Sequence, residues 1–148
     1  MSLALDSLFI TAIKSDTTIM QTIGNRLYST AIPLPDEEAE NVPVPYVIVT
    51  FDGLTNEQGT KDDPYESSND QVNIGIEVTA ANRQALADLT KAIRKAIHEY
   101  FMENQTVVDD YQLTAQAVQY DSWKPCYWQT LRYQCDAENT NDDEQEEY

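Results

Sequence analysis

The chain has 148 residues, which is enough for one domain with a single core and too few for two ordinary domains. Its 26 Asp and Glu outnumber nine Lys and Arg, so the formal charge at pH 7 is −17. A surplus of this size argues against binding to a nucleic-acid backbone or an anionic membrane, and it favours solubility and attraction to basic proteins.

A first helix is predicted at Leu5 to Ile13, where apolar residues recur at the spacing of one helix face. Asp6 and Ser7 stand in its first turn, where side-chain oxygens accept amide protons. No Lys or Arg precedes the apolar residues, so we expect no signal peptide. The sequence also has no uninterrupted run of about eighteen apolar residues, so we expect no membrane-spanning helix. A short turn from Thr18 to Ile23 follows and ends at Gly24, which easily adopts the left-handed conformation found after helices.

Four prolines between Arg26 and Tyr46 predict an extended segment, because each fixes φ and disfavours helix at the residue before it. The β-branched residues after Tyr46 then predict a strand that runs to Phe51. About nineteen residues without periodicity separate Phe51 from Gln71, so we expect a long acidic loop there. From Gln71 to Thr79, apolar and polar residues alternate strictly, which predicts a strand with one core face and one polar face.

The main helix is predicted from Leu86 to Phe101, with Asn82 as its N-cap and an apolar stripe that covers the sheet. Two more strands are predicted near Gln112 to Asp121 and Tyr127 to Asp136, with Pro125 in the turn between them. The residues expected to point inward from these strands are Leu113, Ala115, Ala117, Leu131, Tyr133 and Cys135.

The predicted fold is therefore α+β, with a mainly antiparallel sheet of about four strands in the order α-β-β-α-β-β. One long amphipathic helix packs on one face of the sheet, beside the N-terminal helix. We expect residues 1–136 to form this single domain. Residues 137–148 are predicted to be an acidic, disordered tail, because seven acids and no Lys or Arg lie between Asp136 and Tyr148.

Two segments and the element order carry a resemblance to a known family. Arg26-Leu27-Tyr28 and Pro45-Tyr46-Val47, followed by the predicted elements, resemble the tail-completion or tail-terminator proteins of long-tailed bacteriophages and prophages over roughly Leu5 to Asp136. The resemblance implies a non-catalytic structural protein that forms a ring, usually of six copies, at the head-proximal end of the tail. It further implies that the protein stops growth of the tail tube and helps to join the tail to the head connector.

The partners implied by the resemblance are other copies of the chain, the tail-tube protein and the head-tail connector, with no cofactor, stable nucleic-acid contact or membrane. The protein would lie in the host bacterial cytoplasm during assembly and then in the virion tail. A head-tail connector or neck adaptor of similar topology is the alternative within virion assembly. From another class, an acidic DNA mimic would inhibit a nucleic-acid-binding protein, and it predicts acids in duplex-like rows.

An enzyme is the third hypothesis, and the chain offers few groups for it. His98 is the only histidine and is interpreted as an ordinary residue at the boundary of the main helix's apolar stripe. Cys126 and Cys135 flank one predicted strand, about 30 Å apart, so we expect two reduced thiols in a cytosolic protein, without structural zinc.

Three groups of residues are candidate protein interfaces. The acidic loop holds Asp62, Asp63, Tyr65 and Glu66, which are interpreted as a solvated loop, as an arm against a neighbouring subunit or, less favoured, as a Ca²⁺ site. Asn73 and Glu77 lie on the polar strand face, which is either wet or covered by a second protomer. Trp123 and Trp128 flank the last turn and form either an interface corner or a second small core.

Overall fold

The structure is a computed structural model that describes residues 5–30, 32, 42–57, 69–103 and 110–138. Its helices are α1 (Leu5–Lys14), α2 (Thr17–Ile23) and α3 (Arg83–Glu103). Its strands are β1 (Leu27–Ser29), β2 (Tyr46–Glu57), β3 (Asn69–Ala80), β4 (Asp110–Ala115), β5 (Gln119–Asp121) and β6 (Cys126–Glu138).

The strands form one sheet in the order β1-β2-β3-β6-β4, and β5 also pairs with β6. All pairs are antiparallel except β1 and β2, which are parallel. The α+β class is therefore confirmed, but the described sheet is mixed and has six strands rather than about four. The predicted order α-β-β-α-β-β also omitted α2 as a full helix.

Strand β1 explains why the sheet is mixed. Leu27 pairs with Val47, and the Arg26 side chain donates from Nε to the carbonyl oxygen of Pro45 at 3.0 Å. The Arg-Leu-Tyr and Pro-Tyr-Val segments quoted above therefore lie side by side. Three residues are too few to show a period of two, so the sequence did not predict this strand.

The long loop predicted between Phe51 and Gln71 is partly wrong. Strand β2 continues to Glu57 and β3 already begins at Asn69, so the two strands pair beyond both predicted ends. Pairing of neighbouring strands outweighs the low strand propensity of residues such as Asn and Asp, which misled the sequence analysis here.

The strand predicted from Gln112 to Asp121 is split into β4 and β5. Both pieces pair with β6, but the register shifts by one residue between Ala115 and Gln119, as at a β-bulge. Ala115 and Ala117 are exposed, so they do not join the core as predicted, although Ala115 pairs with the buried Leu131 and therefore lies on the helix-covered side. Leu113 is half-buried. The inward orientation of Leu131, Tyr133 and Cys135 on β6 is confirmed.

Helix α3 has the predicted N-cap, because the Asn82 side-chain oxygen accepts from the amide of Ala85 at 2.8 Å. Helix α2 is capped by Asp16, whose carboxylate accepts from the amides of Thr18 and Ile19. It ends at Gly24, whose φ of 57° is the predicted left-handed conformation.

The core lies between the helices and one face of the sheet. An aromatic cluster joins α1, α3, β4 and β6: Phe9 lies 5.0 Å from Phe101 and 5.1 Å from Tyr133 between ring centroids, and Tyr111 lies 5.8 Å from both Phe101 and Tyr133. The edge-to-face contact of Phe9 and Phe101 is a favoured aromatic geometry. Helices α1 and α3 are thereby fixed to the same face, which leaves the opposite face for other contacts.

Candidate interaction surfaces

The opposite side of the sheet, here called the open face, carries the polar residues of the alternating strands. On β3 these are Asn73, Gly75 and Glu77, while the intervening valines and isoleucines are fully buried under the helices. Ile48 of β2 and Thr130 of β6 flank Glu77 in the paired register. No described helix packs on this face, so it is a candidate interface.

A bulge in β2 shapes the middle of the open face. Phe51 pairs with Ile74 and Gly53 with Asn73, so Asp52 is the extra residue. The Asp52 carboxylate accepts from the Thr50 hydroxyl at 3.0 Å and lies 3.6 Å from an Arg132 guanidinium nitrogen. Gly75 sits beneath this contact, because a Cβ there would lie 2.6 Å from Asp52 Oδ2.

Glu77 is the half-buried carboxyl of the open face. Its burial raises the pKa above the ordinary value, since a charged carboxylate loses hydration there. Among the described residues it forms no ion pair. A carboxyl held in this way, without a counter-charge, is well placed to gain a hydrogen-bond donor or a cation from a second molecule.

One end of the open face is covered by the β5–β6 turn. The Lys124 ammonium lies 5.2 Å from the centroid of the Tyr46 ring and donates to the Val42 carbonyl oxygen. Burial raises the pKa of Tyr46 in this covered corner. Trp128, which pairs with Thr79 and Gln119, is half-buried at the same end.

Trp123 lies in the β5–β6 turn and is 96% exposed, while its neighbour Tyr120 is 55% exposed. The turn itself is well fixed, because Asp121 Oδ1 accepts from the Trp123 amide at 3.0 Å and from the Lys124 amide at 3.4 Å. A large indole held on an ordered turn but left in water is a typical binding residue.

A basic groove, which the sequence analysis missed, lies between α3 and the β4 edge of the sheet. Its volume is about 320 Å³, and it lies on the helix-covered side, not on the open face. It is lined by Lys91, Arg94, Lys95, His98, Tyr111, Leu113 and Tyr133. The four basic positions on α3 follow the spacing i, i+3, i+4, i+7, which the sequence displays and which would have placed them on one helix face.

His98 is exposed, and its Nδ1 lies 2.7 Å from the Tyr111 hydroxyl, so the imidazole joins α3 to β4. Its interpretation as a boundary residue of the helix agrees with this position. Leu113 and the buried Tyr133 supply an apolar floor to the groove, and burial raises the pKa of Tyr133.

Of the residues predicted as interface candidates, Asn73, Glu77 and Trp128 all lie on the open face, with Trp128 near Glu77 and Asn73 further along β3. Trp123 lies apart from them, on the turn. Asp62, Asp63, Tyr65 and Glu66 lie outside the described residues. Within the described ranges, no group of three His, Cys, Asp or Glu side chains has the arrangement of a metal site.

The two cysteines are free and buried. Burial raises the pKa of the Cys126 thiol and raises that of Cys135 to about 12. Such thiols hold little of the reactive thiolate at neutral pH. Among the described helices, none has the length and apolar character needed to span a bilayer.

Comparisons with known proteins identify a shared fold. The chain is similar to a chain in the structure of the "virion of native gene transfer agent (GTA) particle", with a TM-score of 0.59 and 12% sequence identity. The similarity covers 90% of this chain and 94% of that one, so the two share a fold over nearly their whole length. No protein-family model matches the sequence, and no curated protein matches it either.

Proposed function

We propose that this chain is a non-catalytic structural component of a phage-like virion. The observation that carries the proposal is the fold shared, over 90% of the chain, with a component of a gene transfer agent virion. The buried thiols and the exposed aromatic turn agree with a protein that works by binding.

Within the virion, we propose the role of tail terminator or completion protein, which caps the tail tube and helps to join it to the head connector. The resemblance of the Arg26-Leu27-Tyr28 and Pro45-Tyr46-Val47 segments supports this role. The parallel pairing of β1 with β2 and the hydrogen bond from Arg26 to Pro45 make these segments one structural unit. The protein would act in the host cytoplasm during assembly and then in the tail.

The proposed assembly is a ring of about six copies. At −17 each, six copies bring a formal charge of about −100 into the ring, so apolar contacts must hold the seams against mutual repulsion. The exposed Trp123 and the half-buried Ile48 of the open face offer such contacts. Acids that face the lumen would keep DNA from adsorbing as it passes, because like charges repel.

The first experiment measures solution mass by light scattering over a concentration series, at low salt and at about 0.5 M salt, where surface repulsion is screened. We expect a closed oligomer near six copies that persists or strengthens in salt. The second step adds the protein to tail tubes that are still growing, and we expect growth to stop, with the protein at one end in electron micrographs.

Three outcomes separate the hypotheses. Binding to the head connector without any effect on tube growth would replace the terminator with a neck adaptor. A monomer that leaves tube growth unchanged but binds a basic nucleic-acid-binding protein would support the DNA mimic. A monomer that caps tubes would support the terminator hypothesis and would mean that the ring forms only on the tail.

A further inference from the structure

The basic groove combines exposed cations with an apolar and aromatic floor. Lys91, Arg94 and Lys95 are exposed along its α3 rim and make up three of the nine Lys and Arg of the chain. Lys91 and Arg94 form no ion pair with the described residues. Lys95 approaches Glu99 only at 4.0 Å, with both side chains largely in solvent. The rim therefore presents cations that a ligand can reach.

The floor of the groove lies between α3 and the β4 edge of the sheet. Tyr111 and Leu113 are half-buried there, and Tyr133 is buried. Burial raises the pKa of Tyr111, and the Arg94 guanidinium partly offsets that rise, which places this cation near the ring. The volume of about 320 Å³ is at the lower end of the range for ligand pockets, about 300 to 1,000 Å³. The groove therefore suits one or two side chains rather than a whole helix.

A large aromatic side chain matches both the rim and the floor. Its apolar surface packs on leucine and tyrosine side chains, and the electron-rich face of its ring attracts cations, most strongly in the case of tryptophan. A carboxylate or phosphate would pair with the rim but would leave the apolar floor in water. The chain already contains a contact of this kind, since the Lys124 ammonium lies 5.2 Å from the centroid of the Tyr46 ring.

The other flank of α3 does not suit an aromatic ring in this way. A cleft of about 500 Å³ there is lined by Asp16, Glu99 and Glu103, together with neutral residues of α3 and the α1–α2 turn. Carboxylates repel the negative face of an aromatic ring. Of the two flanks of α3, the basic groove is therefore the favourable site for an indole.

The β5–β6 turn carries an indole that is almost completely in solvent. Trp123 is 96% exposed, and Tyr120 at the start of the same turn region is 55% exposed. The turn is ordered, because the Asp121 carboxylate accepts from the Trp123 and Lys124 amides. An anchor that is already fixed loses little backbone entropy on binding, which favours association.

Trp123 lies too far from the groove of its own chain to bind there. Tyr133, at the groove, lies seven residues from Cys126, at the turn, and this is about 23 Å along an extended strand. The hydrogen bonds to Asp121 hold the turn at that end of the sheet. The turn and the groove can therefore meet only between two copies of the chain.

A contact between two unlike surfaces is a head-to-tail contact. After one such contact, each pair still has a free turn at one end and a free groove at the other, so further copies add until the ring closes. A symmetric contact would instead stop at two copies. The cations of the groove also reduce the repulsion between copies that each carry a charge of −17.

We propose that Trp123 of one copy binds in the basic groove of a second copy, with its indole on the floor formed by Tyr111 and Leu113 and its ring face toward Arg94. The inference rests on the proposed function, because it names the contact at the seam of the proposed ring. The contact forms between free copies in solution and does not require the tail tube.

Two single variants each damage one half of the contact. Trp123→Ala removes the indole but retains the groove, whereas Arg94→Glu retains the indole but places a carboxylate on the rim. Light scattering should show association at least about tenfold weaker for each, and urea denaturation checks that both fold. Lys14→Glu, at an exposed position of α1, makes the same change in net charge as Arg94→Glu and should leave association unchanged.

Equal effects of Arg94→Glu and Lys14→Glu would overturn the proposal, because net charge alone would then explain the loss. Weaker association in Arg94→Glu but not in Trp123→Ala would also overturn it, since the groove would then bind a group other than this indole.

Mixing the two variants tests the head-to-tail arrangement directly. One pairing stays intact in the mixture, between Trp123 of the Arg94→Glu chain and the groove of the Trp123→Ala chain. With one variant ¹⁵N-labelled, native mass spectrometry should show mixed dimers that do not grow further, at a concentration where each variant alone is monomeric. A mixture without an excess of mixed dimers would overturn the proposal.

The exposure of the indole supplies an independent readout. The chain has two tryptophans, so in Trp128→Phe the indole emission comes from Trp123 alone. Raising the protein concentration should protect this emission from quenching by acrylamide, because the groove of a second copy covers the ring. Adding Arg94→Glu should remove the protection. Assembly that leaves the indole unprotected would overturn the proposal.

Failure of this contact and failure of the proposed function give different results. If the original chain caps tail tubes and the two variants assemble as it does, the contact is wrong and the proposed function stands. An original chain that stays monomeric up to about 1 mM also overturns the contact, and tube capping then tests the proposed function separately. A head-to-tail oligomer that does not cap tubes supports the contact and overturns the terminator role.

Discussion

The two faces of the sheet differ in what they contribute, although the same strands form both. On β3, the side chains of Ile74 and Ile76 are completely buried, whereas Asn73 and Glu77, one residue away along the strand, are half-buried on the open face. Because successive side chains point to opposite sides, each strand serves the core and a surface at once. Changes on the helix-covered face should therefore affect the free energy of unfolding, and changes on the open face should mainly affect binding.

The largest effect is expected from Phe9→Ala. Phe9 is fully buried and contacts the rings of Phe101 and Tyr133, so the variant loses apolar burial and leaves a cavity between α1, α3 and β6. We expect the free energy of unfolding to fall by about 3 to 5 kcal/mol, measured by urea denaturation. Thr11→Ala, on the exposed side of α1, is the control and should stay within about 0.5 kcal/mol. Similar losses in both variants would mean that α1 does not fix the core.

The two cysteines lie on opposite faces of β6, so they allow the two faces to be compared within one strand. Cys135 lies in the core under the helices, whereas Cys126 lies on the open-face side of β6, in the corner that the β5–β6 turn covers near Lys124 and Glu77. Local opening of this short turn exposes Cys126, but exposure of Cys135 requires the sheet to leave the helices. A thiol-reactive disulfide reagent should therefore label Cys126 at least about tenfold faster than Cys135 under native conditions.

The Cys126→Ser and Cys135→Ser variants assign the two labelling phases. In urea above the unfolding transition, both thiols should react at the same rate, which controls for their intrinsic chemistry. Faster native labelling of Cys135 would contradict the described core.

The sequence predicted the elements whose pattern is long and periodic. The alternation around Ile74 and Ile76 predicted the face assignment of β3, and Asn82 marked the start of α3, because both depend on local rules. Strand β1 was missed because three residues show no period, and the exposure of Ala115 was not predicted because the position of β4 at the edge of the described sheet is set by its pairing with β6. These features depend on pairing between distant segments.

The candidate surfaces were predicted only in part for the same reason. Asn73, Glu77 and Trp128 lie on the same face because β3 pairs with β6 in this register, which sequence spacing does not reveal. Asp52 reaches the centre of that face through a bulge that brings it over Gly75. The basic residues of the groove, by contrast, recur at helical spacing in the sequence. Its apolar floor comes from β4 and β6, so the groove itself could not be predicted from that spacing.

A smaller effect is expected from Glu77→Gln on the open face. Burial raises the pKa of Glu77 in the folded chain, so between the ordinary and the raised pKa the folded state binds more protons than the unfolded state. Stability from this group is therefore lost as pH rises through that window. The neutral variant avoids the loss and should be more stable at pH 7, by at most about 1 kcal/mol, and equal to the original chain at pH 4.

The exposed Glu103→Gln is the matched control, because it removes the same charge from this acidic chain without a buried carboxyl. Urea denaturation of both variants at pH 4 and pH 7 separates the effect of burial from general relief of repulsion. A Glu77→Gln chain that is less stable at pH 7 would show that the folded chain supplies a favourable partner to the carboxylate.

The smallest effect on stability, and the sharpest contrast between folding and binding, is expected from Trp123→Ala. The indole is 96% exposed, and the turn is held by hydrogen bonds from the Trp123 and Lys124 amides to Asp121, which the variant retains. The free energy of unfolding should therefore change by less than about 0.5 kcal/mol. If Trp123 anchors a neighbouring molecule, light scattering and tube capping should nevertheless show weakened assembly, while Val118→Ala, at another exposed apolar side chain, leaves assembly unchanged. A variant that assembles and caps normally would show that Trp123 is not part of the interface. The open face would then remain as the candidate, because the substitution would have changed neither stability nor binding.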